Sequence, residues 1–133
     1  MAWSNADNWA YSRWVWNIAR NSRITEPTGT ELAAVKTFLK LFWNPVTDTG
    51  TRTWLKYKFY RLAVASSDDY EGDIDSQPTA VLVEMLAVVG RDLKKNPLTA
   101  AEKIYCDTFI AATGDRRYGT ADYFGGVSGS LLS

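Results

Sequence analysis

All four prolines of this 133-residue chain lie where one run of helical periodicity ends and the next begins. Proline lacks the amide hydrogen that a helix interior needs, so each one limits how far a helix can extend. Between the prolines, apolar residues recur at intervals of three and four, whereas the two-residue alternation of strands joined by hairpin turns is missing. The sequence therefore predicts an all-α protein.

Five segments carry the helical pattern. We expect helices at about residues 5–21, 30–43, 51–65, 78–95 and 100–113. The fourth segment is apolar nearly all round, which predicts that it is the central and most buried helix. Thr99 and Glu102 have the spacing of a capping box, which indicates where the fifth helix begins. Thr30 is the expected cap of the second helix.

The chain is expected to form one structural domain with three parts. These are an N-terminal helix-turn-helix arm over residues 1–48, a helical bundle over 49–114 and a Gly/Ser/Tyr-rich tail over 115–133. The first helix carries apolar residues on both faces, so we expect it to need partners on both sides. We expect no membrane span, because no apolar run reaches roughly 18 residues. We also expect no secretory signal, because the start of the chain has neither a basic nor an apolar region of that type.

A net charge of zero conceals an uneven distribution of charge. Residues 1–61 carry a net charge of +5 and residues 62–133 a net charge of −5. All six tryptophans also lie in the first half. Such asymmetry predicts a polarised surface with its basic, aromatic side in the first half.

The most specific pattern is a stripe of tryptophan and arginine on the first helix. Trp9, Arg13, Trp16, Arg20 and Arg23 are separated by four, three, four and three residues, which places them on one helical face. The opposite face is apolar and carries Tyr11, Trp14, Val15 and Ile18. Arginines spaced along one face can follow a nucleic-acid backbone. A protein interface favours the same residue types, and ordinary packing is a third interpretation.

Further cations of the first half extend this stripe. The predicted nucleic-acid-binding residues are Trp9, Arg13, Trp16, Arg20, Arg23, Lys36, Lys40, Arg52, Lys56, Lys58 and Arg61.

Catalytic chemistry is poorly represented in the sequence. The chain has no histidine, and its one cysteine, Cys106, is expected to be a buried apolar residue. The acidic segment 68–75 does not have EF-hand spacing, because counting from Asp69 the glycine is the fourth residue rather than the sixth. We therefore expect no enzyme, no metal site and no cofactor. The remaining enzyme hypothesis is metal-assisted hydrolysis at Asp69, Asp73 and Asp75.

The glycine-rich tail does not match a known functional loop. Residues 125–130 lack the lysine of a phosphate-binding loop, and they do not fit the G-x-S-x-G pattern of a nucleophile elbow. We expect this segment to be irregular or ordered by assembly.

In its organisation the chain resembles a known family of structural proteins. The positions that carry the resemblance are residues 11–14 (Tyr-Ser-Arg-Trp), residues 54–59 (Trp-Leu-Lys-Tyr-Lys-Phe) and the tail from Gly126 to Ser133. This layout resembles the major coat proteins of filamentous and rod-shaped archaeal viruses, the lipothrixviruses and rudiviruses.

The resemblance implies a non-enzymatic coat protein located in the virion. It implies dimers, of one protein or of two related ones, whose N-terminal helices wrap double-stranded DNA in an A-like form while the bundles form a helical shell. No small-molecule substrate is implied. On this view the residues facing phosphates are Arg13, Arg20, Arg23, Lys36 and Lys40.

A second hypothesis explains the same features without nucleic acid. In it the chain is a small helical protein–protein interaction module, such as a phage-type inhibitor or adaptor. The tryptophans then act as binding hot spots for a protein partner.

Overall fold

The computed structural model describes residues 5–42, 52–66, 74–96, 98–113 and 116. These residues form five α-helices, a short 3-10 helix and no strand, which confirms the all-α prediction. The helices are α1 (Asn5–Ile24), α2 (Gly29–Phe42), α3 (Thr53–Ser66), α4 (Thr79–Lys95) and α5 (Ala100–Ala112). None of the helices described is long and apolar enough to cross a membrane.

The centre of the fold is α4, as its composition predicted. Helices α1, α2 and α3 all pack against it, and α5 packs mainly against α2. Leu82, Leu86 and Val89 are completely buried within α4. A helix that is apolar on nearly every side is stable in water only when other helices surround it.

Helix α1 is part of this core and not of a separate arm. It packs along α4 more extensively than any other pair of described helices packs together. Val15, Ile18 and Ala19 are fully buried, and the Tyr11 hydroxyl donates a hydrogen bond to Asp107 on α5. Both helices of the predicted helix-turn-helix arm, α1 and α2, contribute side chains to the common core, so the arm packs as part of the bundle.

Helix α2 connects this core to α5 through aromatic rings. The rings of Phe38 and Phe109 stack with centroids 4.2 Å apart. The helix begins at Gly29, whose positive φ of 56° favours glycine, and the Thr28 carbonyl accepts the first helical hydrogen bonds. Thr30 therefore lies inside the first turn and is not the cap.

The acidic segment before α4 contains structure that the sequence did not predict. Ile74–Ser76 form a 3-10 helix, and Ile74 is buried in the core. Asp75 forms an exposed ion pair with Lys40. Residues 67–73, including Asp69 and Asp73, lie outside the described residues, as do residues 117–133 of the predicted tail.

A buried ionic network joins the start of α3 to α4 and α5. The guanidinium of Arg52 donates hydrogen bonds to the carboxylates of Asp92 and Glu102. The Arg52 and Asp92 side chains are only 7% and 1% exposed. Glu102 also completes the predicted capping box with Thr99, which is confirmed. One glutamate thus caps α5 and holds α3 against it.

Because of this network we expect the stability of the fold to decrease in acid. Burial raises the pKa of Glu102, but the hydrogen bonds and charge of Arg52 and the capping bonds of Thr99 outweigh burial, so the pKa lies below its ordinary value of 4.5. A lowered folded-state pKa stabilises the fold fully above the unfolded-state pKa, and this contribution is lost as the pH falls through the folded-state pKa. Urea unfolding at pH 7, 5 and 3 measures the effect.

The matched variant for this measurement is Glu102→Gln. Glutamine keeps the capping bond but cannot lose a charge in acid, so the fall in stability between pH 5 and pH 3 should become smaller. An unchanged pH dependence would show that Glu102 does not contribute to it.

Candidate functional site

Two grooves run along opposite flanks of α4 and meet at Arg91. The first lies between α1 and α4, has a volume of about 330 Å³ and is lined by two tryptophans and three cations. The second lies between α3 and α4, has a volume of about 370 Å³ and is lined by three cations and Glu84. Arg91 lines both grooves. The basic and aromatic residues in and beside them are called the groove surface: Trp9, Arg13, Trp16, Trp54, Lys58, Arg61, Arg91, Lys94 and Lys95.

Close packing of two backbones positions the first groove. The Cα hydrogen of Gly90 faces α1 so closely that a Cβ atom there would lie 2.9 Å from the backbone nitrogen of Trp16. The Ser12 hydroxyl donates a hydrogen bond to the Gly90 carbonyl across the same contact. Because α1 buries its apolar face against α4, Trp9, Arg13 and Trp16 point along the edge of this contact and form one wall of the groove.

Each tryptophan of the groove surface lies beneath cations from two helices. One cation comes from the helix of the tryptophan itself and the other comes from α4. The pairs are Arg13 and Lys94 at Trp9, Arg23 and Arg91 at Trp16, and Lys58 and Lys95 at Trp54, with distances of 4.2 to 5.9 Å from cation to ring centroid. Such cation–π contacts stabilise a positive charge close to the ring, by about 0.5–1 kcal/mol at exposed sites.

The cations of the groove surface form no ion pair with an acidic side chain of the described residues, although Glu84 lines the second groove and feels the charge of Arg91. Within the part of the chain that the structure describes, six of them take part in no ion pair: Arg13, Lys58, Arg61, Arg91, Lys94 and Lys95. Arg61 donates a hydrogen bond to the Tyr57 hydroxyl, which leaves its charge uncompensated. These six cations therefore make the surface locally positive although the whole chain is neutral.

Other predicted binding residues of the first helix differ in their surroundings. Arg23 makes two hydrogen bonds of 2.7 and 2.8 Å to the carboxylate of Glu84, and both side chains are about 40% exposed. Arg20 is partly buried and lines neither groove. Of the predicted stripe, the structure thus brings Trp9, Arg13 and Trp16 together in the first groove.

The remaining predicted lysines divide between two helices. Lys36 and Lys40 belong to α2, which packs against α4 and α5, and neither lines a groove. Lys40 is also paired with Asp75. On α3, Lys58 and Arg61 line the second groove, whereas Lys56 does not.

Arg52 does not belong to the binding surface. Its guanidinium is buried between Asp92 and Glu102, so a phosphate cannot approach it without breaking the network described above. The surroundings of Arg52 therefore give no support to the prediction that it binds nucleic acid. That prediction followed from the residue type alone, since its acidic partners are 40 and 50 residues further along the chain.

Three cations of α4 were missed because the sequence of this helix is dominated by apolar residues. Arg91, Lys94 and Lys95 lie at i, i+3 and i+4 in its last turns, a spacing that places them on one side. The C-terminal end of a helix also favours cations, because the helix dipole is negative there. This spacing was the available signal, and it shows that the basic surface draws on both halves of the chain.

The described residues offer little for catalysis. Burial raises the pKa of the Cys106 thiol to about 12, so the thiol is protonated at neutral pH and is a poor nucleophile. No group of three or more potential metal-binding side chains occurs among the residues that could be searched.

The groove surface is thus the most distinctive chemical feature of the described structure. Comparison of the chain with protein families, with curated proteins and with solved structures found no match, so what this surface binds is inferred from its own geometry.

Proposed function

We propose that this chain is a structural protein that binds double-stranded DNA through the backbone phosphates, without reading the base sequence. The observation that carries the proposal is a set of six cations that form no ion pair with the described residues: five line the two meeting grooves, and the sixth, Lys95, lies over Trp54. Phosphates are the part of a duplex that lysine and arginine bind irrespective of sequence.

The arrangement of the tryptophans favours backbone phosphates over unpaired bases. Proteins that hold single strands use open aromatic faces on which bases stack. Here Trp9, Trp16 and Trp54 each have two cations near the ring. The rings therefore support positive charges that project toward a ligand, and stacking a base would require those charges to move away.

The finer part of the proposal is that the chain is the coat protein of an archaeal virus and assembles into a helical filament in the virion. Its support is the resemblance in sequence organisation to filamentous and rod-shaped virus coat proteins. The partners would be the DNA and a second copy or a related coat protein. Because α1 and α2 belong to the bundle, we propose that DNA lies against the bundle itself rather than inside a wrapping arm.

The test is binding to random-sequence duplex DNA at several salt concentrations. If six cations each neutralise one phosphate, log K should fall against log salt with a slope of about −5, which is roughly a thousandfold loss between 50 and 200 mM. Fluorescence anisotropy measures the affinity, and negative-stain microscopy of the same mixtures shows whether filaments form.

Two comparisons make this test decisive. Duplexes of unrelated sequence should bind equally, and single strands of the same length should bind more weakly, because a single strand carries fewer phosphates per unit length. Absence of duplex binding at 50 mM salt, or a slope near zero, would contradict the proposal.

A second candidate function is a protein–protein interaction module. The observation that favours it is a groove of about 310 Å³ between α2 and α5, whose lining includes Leu41 and Tyr105 and no charged residue. Both of these side chains are more than a third exposed. A chain that binds no duplex, but whose protein partner is lost on Leu41→Asp substitution, would support this function instead.

A further inference from the structure

We infer that one DNA duplex crosses α4 near its C-terminal end and occupies both grooves, with Arg91 binding the phosphate at the crossing point. This inference rests on the proposed function and specifies the path of the ligand over the surface. Its structural basis is that Arg91 lines both grooves, whereas Arg13 and Lys94 line only the first and Lys58 and Arg61 only the second.

The distribution of charge along α4 favours a duplex that crosses the helix rather than one that runs parallel to it. Arg91, Lys94 and Lys95 lie in the last turns, whereas the acidic side chain of Glu84 lines the second groove near the middle of the helix. At a rise of about 1.5 Å per residue, Glu84 lies roughly 10 Å from Arg91 along the axis. A polyanion running along α4 would pass directly over this carboxylate, whereas one crossing the last turns passes over Arg91, Lys94 and Lys95 and enters the second groove at its Arg91 end.

The helix spacing sets the length of duplex that this path can hold. Packed helices have axes about 8–10 Å apart, so α1 and α3, which flank α4, are roughly 16–20 Å apart. A duplex rises about 3.4 Å per base pair, so this distance corresponds to roughly five or six base pairs. Shorter duplexes can fill one groove only.

The experiment uses fluorescent DNA hairpins, which stay paired even with short stems, with stems of 3, 6 and 12 base pairs. The unaltered 133-residue chain is compared with Arg13→Gln in the first groove, Arg61→Gln in the second and Arg91→Gln at the junction. Lys36→Gln removes the same charge from α2 and is the matched control. Thermal unfolding of every variant verifies that the fold is retained.

With 12-base-pair stems, each of the three groove variants should reduce the steepness of the salt dependence by about one, because each loses one phosphate contact. Lys36→Gln should leave it unchanged. With 3-base-pair stems, Arg13→Gln should weaken binding by no more than about twofold, because the other groove remains available. Arg91→Gln should keep its full effect on these short stems, since Arg91 belongs to both grooves.

Three results would overturn this path. The first is that either Arg13→Gln or Arg61→Gln has no effect on the binding of 12-base-pair stems, which would show that the duplex uses a single groove. Another is a stoichiometry of two such stems per chain, and the third is an equal effect of Lys36→Gln. Each of these leaves the proposed function intact, whereas failure of the unaltered protein to bind any stem contradicts that function as well.

Discussion

Replacing Asp92 by alanine is expected to destabilise the fold by about 3 kcal/mol, near the lower end of the range for breaking a buried ion pair. Asp92 is 1% exposed and accepts hydrogen bonds from Arg52 and from the side chain of Asn96. Its removal leaves a desolvated guanidinium that keeps the carboxylate of Glu102 and the carbonyl of Asn96 as hydrogen-bond acceptors. Glu102 retains part of the interaction, so we do not expect the upper end of the range.

The measurement is the free energy of unfolding in urea at pH 7, with Glu84→Ala as the control. Glu84 also binds an arginine through two hydrogen bonds, but both partners are exposed, and pairs of this kind contribute about 0–1 kcal/mol. A further variant, which combines Asp92→Leu, Arg52→Met and Glu102→Gln, removes all three charges of the network and should recover much of the loss. Equal costs for Asp92→Ala and Glu84→Ala would contradict the importance of burial.

The helices could be predicted from the sequence because their boundaries depend on local chemistry. The prolines at positions 27, 78 and 97 prevent a helix from continuing, whatever the tertiary structure around them. The hydrogen bonds between Thr99 and Glu102 are likewise made within one turn. The position of α1 could not be predicted in the same way. Apolar residues on two faces showed that it needed partners, but not that α4 of the same chain was the main one.

One wall of the first groove could be predicted from the sequence, because it too depends on spacing within a single helix. Trp9, Arg13 and Trp16 share a face through spacing within one helix, which the sequence displays directly. The opposite wall of their groove comes from Arg91 and Lys94, some 80 residues away. Periodicity describes one helix at a time, so it cannot show which second helix completes a groove.

The burial of Arg52 could not be predicted for a related reason. Residue type indicates that a cation can bind phosphate, but burial decides whether it is accessible to one. Burial at this position depends on Asp92 and Glu102, which belong to two other helices. A sequence pattern confined to α3 carries no information about them.

Replacing Gly90 by alanine is expected to destabilise the fold although alanine is the better helix former. In an exposed helix interior this change should stabilise by about 1 kcal/mol. At Gly90 the added Cβ would lie 2.9 Å from the backbone nitrogen of Trp16 and 3.1 Å from its Cα, and neither atom can rotate away. Overpacking of this kind costs about 1–3 kcal/mol, so we expect a net loss of stability in urea unfolding.

The control is Ala33→Gly at an exposed interior position of α2, which measures the helix-propensity difference without any contact. The stability that Ala33→Gly loses equals the stability that Gly90→Ala would gain if α1 and α4 were not in close contact. Because relief of the clash moves α1 away from α4, the wall formed by Trp9, Arg13 and Trp16 should also move relative to Arg91 and Lys94. We therefore expect folded Gly90→Ala to bind duplex DNA more weakly than folded Ala33→Gly does. A gain in stability for Gly90→Ala would contradict the close packing on which the first groove depends.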